Sequence, residues 1–346
     1  MADLSSPPTS VASLERLALL ALDSWGKQAR EIQLVKMREN AVFRVVDAQG
    51  SVFALRVHRE GYHDDDALGA ELRWMAALRQ DGIEVPTVVP AENGRLFVKA
   101  RSAECPGERQ VDLFEWIDGR ALGTSEAGLR GDLGDIFGTY RTVGRLAASL
   151  HDHTANWSLP AGFRRHHWDL DGLVGERPVW GRFWDLQALD AEERRILLLA
   201  RDRVRIELQA FARRPDADRH YGLIHADLVP ENLLLTDRGE VRLIDFDDAG
   251  FGWHLFDLAT ALYFVKDGLG YEAAKEGLIA GYRAHRRLSD ADLAALPLFM
   301  TARGFTYLGW AHTRPATAES LAILPHVIRL ACRESEDLLS RGRVTP

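Results

Sequence analysis

Apolar positions recur along this chain with two different periods, and the change from one to the other divides it. Leu14, Leu17, Leu20 and Leu22 follow near-helical spacing within residues 11–29, and Gly26 stops the run. Strand-like segments come next at 31–37, 41–47 and 51–58, the last two joined by a turn at Gln49-Gly50, so a small antiparallel meander is predicted. Helical spacing returns over 64–80 through Leu68, Leu72, Met75 and Leu78 and ends before Asp81-Gly82. Extended segments at 95–100 and 109–117 complete this half, the second running into Asp118-Gly119. From about residue 120 the pattern is almost wholly helical, with helices predicted at 134–152, 190–212, 253–266, 270–286, 289–312 and 317–341 and one β insertion at 233–245. The expected fold class is α+β: a small antiparallel β lobe with one helix, a hinge near 114–120 and a larger, mainly helical lobe.

Composition narrows this picture. A chain of 346 residues with 46% hydrophobic residues can bury sizeable cores in two domains or in one bilobal unit. Its 51 acidic against 43 basic side chains leave a net charge of -8, which argues against a nucleic-acid partner as the main activity. Cys105 and Cys332 lie far apart without metal-ligand spacing, so free thiols in a reducing cytoplasm are expected. The first ten residues, with Ser5, Ser6, Pro7 and Pro8, lack the features of a secretory signal and are expected to form a frayed terminus. No run approaches the ~18 apolar residues of a membrane span, so no membrane partner is expected.

The segment richest in chemistry begins at His225-Ala226-Asp227 and reaches Asn232 through Leu228-Val229-Pro230-Glu231. Leu233-Leu234-Leu235, a turn at Asp237-Arg238-Gly239, and Val241-Arg242-Leu243-Ile244 then lead to Asp245-Phe246-Asp247. Two apolar strands joined by a polar turn form a hairpin, which returns Asp245 to the neighbourhood of Asn232. A carboxylate for a reacting hydroxyl, plus an amide oxygen and a second carboxylate able to hold a hard cation, suits phosphoryl transfer. Taken singly, each residue has a structural alternative: a core histidine, a turn aspartate, a cap, a strand end. The joint H-x-D-x-x-x-x-N spacing followed by a hairpin ending in D-F-D matches a kinase catalytic loop and its metal-binding Asp.

On these residues the chain resembles the protein-kinase-like phosphotransferases, the superfamily of aminoglycoside phosphotransferases, choline kinases and type II homoserine kinases, over residues 30–340. The run Ile244 to Gly252 and the following Phe256-Asp257-Leu258-Ala259 look most like the branch of homoserine kinase-like enzymes and the bacterial stress-response kinase. The resemblance implies a bilobal kinase-like fold that uses ATP and Mg²⁺: an N-terminal helical extension at 1–30, an ATP-binding lobe at 31–117 and a catalytic lobe at 118–346. It implies that Asp227 is the catalytic base, with His225 bracing its loop, that Asn232 and Asp245 bind Mg²⁺, and that Asp257 supports the loop. Asp247 stands where protein kinases have glycine, which favours a small-molecule acceptor.

The ATP lobe keeps the kinase layout with altered letters. Arg38-Glu39-Asn40-Ala41 replaces a glycine-rich loop, making Asn40 a candidate nucleotide contact, and Arg56 takes the place of the usual strand lysine, with Glu71 as its candidate helix partner. In Val111 to Gly119, the Glu115 carbonyl and Ile117 amide are expected by resemblance to bond the adenine edge. Trp157, Trp168, Trp180 and Trp184 fall in an insertion at about 155–188 together with Asp169, Asp171 and Asp185. These aromatics either recognise a cationic acceptor or pack as a small core. His151 and His153 are expected to cap the 134–152 helix.

Three activities follow as expectations. The first is phosphorylation of a hydroxyl on a small polar metabolite: an amino alcohol, a hydroxyl amino acid or an aminoglycoside-like compound. The second is a Ser/Thr protein kinase of the stress-response type, disfavoured because no long activation loop fits between Asp245 and Asp257. The third is a nucleotide-binding pseudokinase, suggested by Arg56 and the missing glycines and opposed by Asp227, Asn232 and Asp245.

Overall fold

The computed structural model describes residues 10–38, 40–314 and 318–341, the side chains of 318–322 excepted. Residues 1–9 of the expected frayed terminus, Glu39 and Thr317 lie outside the described residues, whereas Ser10, the last of the ten, is ordered as a helix cap. The chain divides into two compact units: Met1–Asp118 with Leu159–Arg164, and Gly119–Ser158 with Arg165–Pro346.

In the first unit, helix α1 (Val11–Leu22) is capped by Ser10, whose Oγ accepts from the Ser13 amide. Five strands follow around one helix: β1 (Ala29–Met37), β2 (Ala41–Asp47), β3 (Val52–Val57), α2 (Asp65–Gln80), β4 (Phe97–Ser102) and β5 (Cys105–Glu115). They form an antiparallel sheet in the order β1-β2-β3-β5-β4. At the β2–β3 turn Gly50 takes φ 86°, while the Asp47 carboxylate accepts from the Gln49 and Ser51 amides. One sheet face buries Phe43, Val45, Leu55, Val57, Val111 and Leu113 against Leu14, Leu17, Ala18 and Ala21 of α1. Side chains alternate along a strand, so Arg56 and Asp112 must point to the other face, where β3–β5 register sets them directly opposite. That is the face of α2, which starts at the Asp64 cap and buries Leu68, Leu72, Trp74, Met75 and Leu78. Arg164, from the second stretch of this unit, bonds Asp66 at 2.6 Å.

The second unit contains β6 (Arg120–Ala121), β7 (Gly123–Thr124), β8 (Gly128–Leu129), α3 (Ile136–Asn156), β9 (His167–Trp168), α4 (Leu170–Val174) and α5 (Ala191–Ala212). It continues through β10 (Tyr221–Ile224), β11 (Leu233–Leu235), β12 (Val241–Leu243), β13 (Gly250–Trp253), α6 (His254–Tyr263), α7 (Tyr271–Arg283), α8 (Asp290–Leu293), α9 (Leu296–Thr313) and α10 (Ala318–Ser340). Helices α3 and α7 approach through glycine: a Cβ at Gly281 would lie 1.9 Å from the Arg141 carbonyl oxygen. The expected helix at 289–312 is two, because the chain turns at Ala294-Ala295 before Pro297 opens α9. Strands β6, β9, β10 and β13 escape a periodicity reading, since two to four residues carry no period. β11 and β12 form the expected hairpin, with Leu233 opposite Leu243, and β6 adds a third strand.

Among the described residues no helix is long and apolar enough to cross a membrane. Both cysteines are free thiols.

Candidate active site

The strand β10 ends at Ile224 and delivers His225-Ala226-Asp227 into a strained turn. Ala226 (φ 64°) and Asp245 (φ 68°) are the non-glycine residues with positive φ among those described. Such a conformation costs on the order of 1–3 kcal/mol and persists only where the surroundings enforce it. At Ala226 the enforcing group is Asp257 on α6, whose carboxylate accepts the His225 amide at 3.0 Å and the Ala226 amide at 2.6 Å. Burial raises the Asp257 carboxyl to about 6, against the lowering pull of His225 and these two amides. A third donor is His151 Nε2 at 3.0 Å, and the other His151 nitrogen faces the Tyr282 hydroxyl at 2.9 Å. Burial holds the His151 ring well below its ordinary pKa, which favours the neutral ring; a carboxylate at Nε2 and a hydroxyl at the other nitrogen suit the tautomer protonated at Nε2. His151 therefore braces the loop inside α3, which runs to Asn156, and does not cap the helix.

His225 is fully buried and orders the loop from within. Its Nδ1 accepts the Asp227 amide at 3.2 Å, which leaves Nε2 to donate to the Ile244 carbonyl at 3.1 Å. Phe246 meets the same ring edge-on at 4.6 Å. The hairpin then returns the chain as expected, because the Ile244 amide donates to the Asn232 carbonyl at 3.0 Å. Asn232 spends its amide nitrogen on Asp227, at 2.7 Å to Oδ2 and 3.0 Å to the carbonyl. Its Oδ1 is buried with no hydrogen-bond partner. The orphaned amide oxygen of Asn232 and the carboxylate of half-buried Asp245, the residue after Asn232's backbone partner Ile244, are oxygen donors of the kind a hard divalent cation takes.

The segment after Asp245 is clasped by the Trp-rich insertion. Arg165 donates to the carbonyls of Asp247 and Ala249, and His166 Nε2 faces the Asp248 carbonyl at 3.0 Å. The indole N–H of Trp168 bonds the Asp248 carbonyl and that of Trp180 bonds the Asp248 carboxylate, each at 3.0 Å. Asp247 itself is buried. Trp168, Trp180 and Trp184 are core aromatics, Trp168 stacking on Phe256 at 5.6 Å. Of the two readings of this insertion, these three tryptophans follow the packing one.

In the other unit Arg56 is buried and paired more fully than expected. It donates to Glu71 at 2.8 Å and also forks onto Asp112, with Nε to Oδ1 at 3.1 Å and Nη2 to Oδ2 at 2.7 Å. His58 joins at 2.9 Å from Asp112 Oδ2. Burial opposes ionisation of Asp112, but Arg56 and His58 outweigh it and hold the carboxyl at about 2. Asn40 is buried and its Oδ1 accepts the Arg59 amide at 3.1 Å, which fastens the β1–β2 turn to the end of β3. Along β5 the Trp116 amide donates to Val52, whereas the Glu115 amide turns the opposite way to Thr87. Backbone alternation directs the Glu115 carbonyl to that same side.

Sequence patterns missed Asp112, His151 and above all Arg303. Arg303 Nη2 donates to Asp227 Oδ1 at 2.8 Å. The available signal was a lone arginine inside the apolar run Leu296 to Leu308, a position where a charge needs a partner.

A model described as the Phosphotransferase enzyme family matches residues 31–292. The chain is 26% identical over 300 residues to a homoserine kinase of Rhizobium meliloti (strain 1021), covering 86% of this chain and 82% of the relative. The solved structure of the microcompartment-associated aminopropanol kinase matches with a TM-score of 0.81 at 35% identity, over 94% of this chain and 98% of that one. The amicoumacin kinase hAmiN, solved with AMP-PNP, Ca²⁺ and Ami, matches at 0.71 and 22% identity over 93% of both chains. The chain belongs to the phosphotransferase enzyme family, with the protein-kinase-like fold, and is a kinase that acts on a hydroxyl of a small molecule.

Proposed function

We propose that this kinase uses ATP and Mg²⁺ to phosphorylate the hydroxyl of a small amino alcohol or hydroxyl amino acid. The observation that carries the reading is the Asp227–Asn232 contact, which leaves one buried amide oxygen of Asn232 facing no donor. In this reading Asn232 and Asp245 hold the cation, which supplies positive charge to the phosphates. Asp227 orients the acceptor hydroxyl and takes its proton; His225 and Asp257 fix the loop that carries it. The Glu115 carbonyl and Ile117 amide read adenine, and Arg56, whose charge Glu71 and Asp112 already balance, serves the nucleotide by tying strand β3 to helix α2. Asn40 serves by shaping the β1–β2 turn over the nucleotide, since its side chain is committed to Arg59. The aminopropanol and homoserine kinases named above support the amino-alcohol or hydroxyl-amino-acid acceptor. The AMP-PNP and Ca²⁺ in the amicoumacin kinase support a nucleotide with a divalent ion.

The test is ATP consumption with Mg²⁺ and a panel of 1-amino-2-propanol, ethanolamine, L-homoserine and an aminoglycoside. Turnover of an amino alcohol or of homoserine, lowered by about 10²–10⁴ in Asp227→Ala, is expected. Label entering protein and none of these acceptors, or nucleotide binding without turnover, overturns the reading.

A further inference from the structure

We infer that Arg303 is a positioning residue for phosphoryl transfer, fixing the plane of the Asp227 carboxylate from behind the catalytic loop; this rests on Asp227 being the base. Arg303 is completely buried in α9, a helix buried nearly all round. A charge there costs several kcal/mol unless paired. Its ionic partner is Asp227 Oδ1 at 2.8 Å, with the Ala226 carbonyl at 3.5 Å. Aromatic faces surround the remainder: Trp180 at 5.0 Å, Tyr307 at 5.5 Å and Phe256 at 6.0 Å from the guanidinium carbon.

The two ends of this ion pair differ in a telling way. Arg303 has no exposed side-chain surface, whereas the Asp227 side chain keeps 19% of its own. The guanidinium thus takes one oxygen from the protein side, while part of the Asp227 side chain reaches the surface. Asn232 takes the second oxygen. Bonds to both oxygens from two different groups fix the plane of the carboxylate. Orientation is set by two separate elements, the catalytic loop and α9. Trp180, from the insertion, forms part of the cage, so that segment reaches the chemistry through Arg303.

Steady-state phosphorylation of 1-amino-2-propanol, with L-homoserine beside it, tests this in Arg303→Met, Arg303→Lys, Asp227→Ala and both double variants. Arg303→Met should lower kcat about a hundredfold while KM for ATP stays within about twofold. Arg303→Lys, which keeps a charge in the cage and guards against a methionine variant that fails to fold, should lose less. In the Asp227→Ala background neither change should lower the residual rate further, because the group through which Arg303 acts is gone. An unchanged or increased kcat in Arg303→Met, or an equal further loss on top of Asp227→Ala, overturns the positioning role. Undiminished turnover in Asp227→Ala overturns the base assignment instead.

Discussion

At Arg56 the fold places a charge inside a sheet and surrounds it with opposite ones. Sequence reasoning reached Arg56 and Glu71 because kinases pair a strand cation with a helix acid; it missed Asp112 because nothing in Val-Asp-Leu-Phe marks an acid as a partner. Strand alternation supplies the reason: with Leu55, Val57, Val111 and Leu113 committed to one core face, Arg56, His58 and Asp112 share the other. Removing one member strands a buried charge, so Asp112→Asn should destabilise by roughly 3–5 kcal/mol near neutral pH. The folded Asp112 pKa lies below the ordinary value, so its contribution is complete above about pH 4 and disappears as pH falls toward 2. Urea midpoints of wild type and Asp112→Asn should accordingly converge over that window; a constant gap would refute the ionic origin. At the proposed metal site, Asn232→Ala removes both the orphaned oxygen and the clasp on Asp227, whereas Asp245→Ala removes only a proposed donor. Both should abolish Mg²⁺-dependent transfer, and a wild-type rate in Asp245→Ala would sink the metal assignment.

At the scale of elements, long periodic segments were legible and short ones were not. The strand at 41–47 and the helices at 64–80 and 190–212 were recovered to within a residue, since each repeats its pattern several times. The pairing of β10 with β13 was invisible, yet β10 is the strand that delivers His225. The insertion at 155–188 could not be read for the same reason: its order comes from contacts with the distant Asp247-Asp248-Ala249 segment. Packing of α3 on α7 depends on absent side chains. Gly281→Ala gains about 1 kcal/mol of helix propensity but drives a methyl into the Arg141 carbonyl. Overpacking of this kind costs typically 1–3 kcal/mol, so the net should be a lower melting temperature. A raised one would show that the helices separate freely.

At the scale of the whole molecule, net charge gave an expectation against nucleic acid and little more: a protein of -8 must still attract a polyanionic nucleotide. Much of its basic complement is already engaged, as Arg56, Arg303 and Arg164 each hold carboxylates. Nucleotide affinity should therefore depend steeply on the divalent ion; chelation with EDTA should raise the Kd for ATP at least tenfold, read by calorimetry. Unaltered affinity would mean that protein side chains alone supply the charge.

The chain enters its first unit twice, leaving at Asp118 and coming back for Leu159–Arg164. During synthesis from the amino end, that unit cannot be finished when its sheet emerges from the ribosome. Asp66 waits for Arg164, and forty residues destined for the other unit must appear in between. A gene cut at residue 118 would thus encode an incomplete body, and shuffling lobes among relatives would require two junctions to move together.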